Sequence, residues 1–143
     1  MDLRALIRRA NDDTYAAWNA HDADAVAAVF APAAEIVDIA SGTVARGRDA
    51  IRDTADARFR GFPDFSLEKV FLVIDVTDDG RGANADRWIM RGTHAGEFMG
   101  LAPTGRAVEV QGATFSEFDA HGLVVRDTHY LDLGALLRQL GLA

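Results

Sequence analysis

The chain has 143 residues, 49% of them hydrophobic and 26% charged, enough to bury a real core around one cavity of small-molecule size. Lys and Arg number 15 against 22 Asp and Glu, and the net charge of −7 repels phosphate backbones and anionic membranes, so neither nucleic acid nor membrane is expected as a partner. Cysteine is absent, which removes disulfides, thiolate catalysis and sulfur-ligated metals, and no signal-peptide pattern or long apolar run occurs, so a cytoplasmic protein is expected.

Leu3, Leu6, Ile7, Ala10, Tyr15 and Trp18 recur near every 3.6 residues and predict an amphipathic helix over 3–18. Asp22 is placed to cap a second, short helix that carries Val26, Val29 and Phe30 and is closed by Pro32. Residues 34–40 read as a β segment, Ser41 and Gly42 as a turn, and Asp49 as the cap of a third helix with Ile51, Ala55 and Phe59 on one side. Beyond Pro63 the character changes to extended segments over 65–76, 83–98, 106–118 and 123–131, separated by short turn-rich loops. Residues 133–140 form a last helix with Gly141 just past its end. Helices first and a strand meander afterwards predict a single α+β domain over 1–143, a cone-shaped barrel with the helices laid on a curved antiparallel sheet.

The mouth of such a cone is a natural apolar pocket. Alternation along 86–96 puts Trp88, Met90 and His94 on one face, so His94 stands beside large apolar groups. On the last strand Val124, Arg126, Thr128, Tyr130 and Asp132 oppose Val125, Asp127, His129 and Leu131, and Asp132 is the carboxylate at the strand-to-helix junction. Each has a plainer use, Asp132 as a helix N-cap and His94 as a hydrogen-bonded structural histidine. Asp38 interrupts an apolar β segment, facing the cavity mouth or solvent. Tyr15 and Trp18, with Trp88, Met90 and Phe98, are the expected pocket wall, and a Tyr hydroxyl there can donate to an oxyanion. Asp127, His129 and Asp132 mix strand faces, so no metal site is expected, and no P-loop, dinucleotide fingerprint or Ser/Cys triad occurs.

The stretch from Trp88 through Arg91-Gly92-Thr93-His94 to Gly96 is followed by Pro103-Thr104-Gly105 and by Asp132-Leu133, Leu136-Leu137 and Gln139-Leu140-Gly141. Together these resemble the SnoaL-like polyketide cyclase (ester cyclase) family of the nuclear transport factor 2-like superfamily. That resemblance implies intramolecular aldol-type ring closure of an aromatic polyketide methyl ester, with a carboxylate as general acid/base and neither metal nor cofactor. By position it implies roles for His94 and Asp132. The N-terminal half, Tyr15 to Asp22 and Ala34 to Asp38, resembles ketosteroid isomerases, which implies Tyr15 as oxyanion donor and Asp38 as proton carrier. Their protonated Asp falls near Thr114, so that oxyanion hole is incomplete.

The expected function is therefore a cofactor-independent cyclase acting on a small hydrophobic carbonyl compound, with Asp132 as acid/base, Asp38 as the alternative, and His94 or Tyr15 on the enolate oxygen. Two other readings stand beside it: a non-catalytic small-molecule-binding module, and an epoxide hydrolase or isomerase-like relative of the same fold. The hydrolase wants Arg91 inward, whereas parity sets it opposite His94. Outward Ile89, Val125 and Leu131 suggest a homodimer through the sheet, and 14 Arg against one Lys, Lys69, suggest a high-GC bacterial genome.

Overall fold

In the computed structural model, which describes residues 1–142, Asp2 accepts from the Ala5 amide and starts α1 (Leu3–Asn19), and Asp22 accepts from Ala25 and starts α2 (Ala23–Ala28). Ile7, Ala10, Tyr15 and Trp18 are buried along one stripe of α1, as their spacing requires. The second helix stops earlier than its apolar pattern suggests. Phe30 opens β1 (Phe30–Asp38), and Pro32 lies inside that strand, where a register shift between Phe30 and Glu35 accommodates a residue without an N–H. Gly42, at φ 70°, turns the chain into β2 (Thr43–Arg46), a four-residue edge strand that the sequence pattern does not mark. α3 (Gly47–Gly61) follows at once. Arg46 occupies its N-cap position without a side-chain bond, and Asp49 sits within the first turn instead of capping it.

β3 (Ser66–Val76), β4 (Gly82–Thr93), β5 (Ala107–Phe118) and β6 (Val124–Leu131) form an antiparallel meander, and α4 (Leu133–Gln139) is the last element. The sheet order is β2-β1-β6-β5-β4-β3, which leaves β2 and β3 as edges, so the α+β sheet is curled and unclosed. One pair departs from the expected antiparallel arrangement, because β1 runs parallel to β6. No hairpin joins these two strands, so nothing obliges them to run in opposite directions. α1 packs on β3 and β4, and α3 packs on β1. Ile7, Val26, Phe30, Ile51, Phe62 and Leu136 fill the space between helices and sheet, each worth roughly 1.5–3 kcal/mol of burial. Among the described residues no helix is long and apolar enough to cross a membrane.

Candidate active site

Period-two alternation on β4 turns Asn84, Asp86, Trp88 and Met90 toward the helices. Cross-strand register then aligns these positions in rows across β4, β5 and β6: Gly82–Phe118–Val124, Asn84–Ser116–Asp127, Asp86–Thr114–His129 and Trp88–Gly112–Leu131. Two polar rows thus lie between two apolar ones. Strict alternation sets Val124 opposite Asp127, but a register slip at Glu117/Phe118 lets both face inward.

α1 closes over the rows. The Tyr15 hydroxyl donates to Asp86 Oδ2 at 2.7 Å, and Asn11 Nδ2 donates to the same oxygen at 3.1 Å. Burial raises the Asp86 carboxyl above the usual carboxylate range; the two hydrogen bonds pull it down, the Asp127 charge pushes it up and His129 pulls it down. The Tyr15 phenol is held far above its ordinary value, by burial first and by Asp86 second. On β6, His129 Nε2 lies 3.3 Å from Asp127 Oδ2, and both side chains are buried. With the proton on Nε2 donated to that carboxylate, Nδ1 presents a lone pair. Asn84 Oδ1, Asp86 Oδ1, Asp127 Oδ1 and His129 Nδ1 are buried and make no hydrogen bond within the protein. All four residues line one cavity, whose apolar wall includes Leu67, Phe118 and Leu136, and Trp88 Nε1 donates to Thr114 Oγ1 at 3.0 Å within it.

Tyr15, Trp18, Trp88, Met90 and Phe98 line this same cavity. The three residues expected to carry chemistry are placed elsewhere. Asp132 is exposed and accepts from the Ala135 amide at 3.0 Å as the N-cap of α4. His94 is fully buried against Phe62, 5.5 Å between rings, and its Nδ1 accepts from the Thr104 amide at 3.3 Å, which ties down the loop before β5. Asp38 accepts from Arg58 Nη2 at 3.1 Å, and of that pair Arg58 lines the cavity. Sequence reasoning missed Asn11, Asn84, Asp86, Thr114, Ser116, Asp127 and His129 as site residues. A signal for Asn84 and Asp86 was present, since the parity that turns Trp88 inward extends back to both. Arg91 points outward, bonded to Glu68 and Glu109, whereas Leu131 belongs to an inner row and not to the outer face. Among the described residues no group of three or more His, Asp or Glu is disposed to hold a metal ion.

The concave face of the curled sheet sets buried carboxylates, an Asp–His pair and a tyrosine between apolar walls, and the α+β arrangement is the nuclear transport factor 2-like fold. The model of the SnoaL-like polyketide cyclase family matches residues 7–140, and the chain belongs to that family. It is 30% identical over 125 residues to the cyclase AurE of Calcarisporium arbuscula, covering 87% of this chain and 85% of the relative. Among solved structures, IdmH of Streptomyces antibioticus is 28% identical with a TM-score of 0.75, covering 94% of this chain and 97% of that one. A SnoaL-like protein of Jannaschia sp. CCS1 shares the fold at a TM-score of 0.83 and 16% identity, over 100% of this chain and 96% of the other.

Proposed function

We propose that the protein closes a ring in a small, largely apolar carbonyl compound by an intramolecular aldol-type step. His129 Nδ1, its tautomer held by Asp127, takes the proton from the carbon next to one carbonyl. The resulting enolate carbon bonds to a second carbonyl carbon of the same molecule. The oxygen of that second carbonyl takes a proton from Asp86 Oδ1, a carboxyl whose hold on a proton burial strengthens while Oδ2 accepts from Tyr15 and Asn11. One proton has entered at His129 and one has left Asp86, so exchange with solvent restores both groups and the product is an isomer of the substrate.

The observation that supports this reading is the convergence of unpartnered Asp86 Oδ1, Asp127 Oδ1 and His129 Nδ1 on one apolar cavity. A binding module would use the same atoms only to hold a guest, whereas an Asp–His pair beside a carboxyl whose proton affinity is raised by burial is an arrangement that can move protons. The epoxide-opening reading called for Arg91 in the cavity, and Arg91 faces away from it.

The test is solvent deuterium exchange into the methyl group of 2-acetylnaphthalene, followed by proton NMR. The wild-type protein is expected to accelerate the exchange, and Asp127→Asn and His129→Gln are each expected to lose about 10²–10⁴-fold while remaining folded. Exchange at the wild-type rate in both variants would remove the pair from the mechanism.

A further inference from the structure

Arg58 is the one Lys or Arg among the described residues that line the cavity. It reaches the cavity from the last turn of α3, with a side chain only 17% exposed. A guanidinium carries five N–H donors, and the hydrogen bond it makes in the protein is the one from Nη2 to Asp38. Its central carbon lies over the Trp18 ring, 5.5 Å from the centroid, and that ring also lines the cavity. Burial works against the charge and Asp38 sustains it, so the two form a largely buried ion pair whose guanidinium keeps further donors.

The acidic groups of the cavity, Asp86 and Asp127, sit on the sheet side. On α1 the residue that reaches Asp86 is Tyr15 and the residue beneath Arg58 is Trp18. Three residues apart, these are separated by roughly 5 Å along the helix axis. The cavity is therefore two-sided, with proton-handling groups at the sheet and the Arg58–Asp38 ion pair at the helix edge.

We propose that Arg58 receives a carboxylate of the guest, so that the substrate is an aromatic keto acid in its free form and not its methyl ester. The inference rests on the ring-closure reading only for the other end of that guest. A planar, bidentate acceptor matches the unused edge of the fork, and its negative charge completes the solvation that burial has taken from the guanidinium. The whole-chain charge of −7 opposes an anion at long range, but within the cavity the nearest cation decides.

The experiment titrates 2-naphthoate and methyl 2-naphthoate into the full chain by calorimetry. Wild type is expected to bind the acid roughly 10- to 100-fold more tightly than the ester, the range of a charge-assisted hydrogen bond. Arg58→Met is expected to erase that preference and Arg58→Lys to keep part of it. Because Met at this position strands the Asp38 carboxylate, the double variant Asp38→Asn/Arg58→Met is measured alongside and is expected to behave the same. Equal affinity for acid and ester in wild type, no binding of either, or a preference that survives in the double variant would each overturn the inference. Asp127→Asn separates the two proposals: it leaves the acid preference intact and abolishes deuterium exchange if both are right. Wild-type exchange in Asp127→Asn with the preference retained overturns the ring-closure reading alone.

Discussion

Asp86 is held where its surroundings oppose its charge, and that opposition has a measurable cost. Its folded-state carboxyl titrates above the unfolded value, so between the two the folded chain binds more protons than the unfolded chain. Stability therefore falls as pH rises through that window and stays lower above it. Asp86→Asn removes the titration while its amide oxygen still accepts from Tyr15 and Asn11. The variant is expected to melt at a higher temperature than wild type at pH 8, with the gap closing as pH is lowered toward the ordinary carboxylate range, and to exchange deuterium more slowly. Thermal melts across pH read this directly, and coincident melting curves at pH 8 would show that the carboxyl carries no such penalty. Why Asp86 is hard to find in the sequence is physical. Asn84 and Asp86 alternate with Ala83 and Ala85, and small apolar residues beside polar ones resemble a strand whose polar face meets water. Only Trp88 and Met90 further along fix which parity is buried. His94 misleads for the opposite reason: it shares that parity and is buried, but it lies beyond the end of β4, where its ring holds a loop.

At the scale of elements, the rows depend on how closely β4 and β5 carry their large and small residues past one another. Trp88 lies directly across from Gly112, and a Cβ at Gly112 would overlap the Cη2, Cζ2 and Cζ3 atoms of the indole. The glycine is thus a seat for the ring, and the ring in turn reaches Thr114 with its N–H. Gly112→Ala is expected to cost about 1–3 kcal/mol, the usual range for an overpacked core, and to shift tryptophan fluorescence as the indole leaves Thr114. An unchanged spectrum and melting temperature would mean that the ring has other room. Long periodic elements such as α1 and β5 were legible in the sequence because a dozen or more residues repeat one pattern. The short ones were not. Pro32 reads as a helix stop yet sits in β1, since a bulged strand tolerates a missing N–H as readily as a helix end does. Asp132 shows the same economy at a helix start, where capping alone accounts for a carboxylate.

For the whole molecule, the concave face of the sheet is occupied by helices and the cavity, which leaves the convex face as the surface with apolar side chains to cover. Phe71, Arg87, Ala113 and Tyr130 form one outward row, and Val73, Ala85, Phe115 and Thr128 the next. Phe71 is 52% exposed, Phe115 46% and Tyr130 49%, in a chain that otherwise presents a net charge of −7. We propose that a second copy covers this face. An apolar sheet face can pair with its own copy about a two-fold axis, and about 800 Å² per partner is the area a stable pair needs. The proposal carries a sign for salt. Apolar contact holds the copies together while their like charges push them apart, so screening strengthens the pair, the reverse of an interface built on ion pairs. Light scattering is expected to give twice the chain mass, with dissociation on dilution occurring at lower protein concentration in 0.5 M salt than in 20 mM. Phe115→Glu places two further negative charges at the centre of the pair and is expected to yield a monomer that keeps its cavity and its affinity for 2-naphthoate. A wild-type chain that scatters as a monomer at high concentration in both salts would leave this face uncovered and the proposal without support.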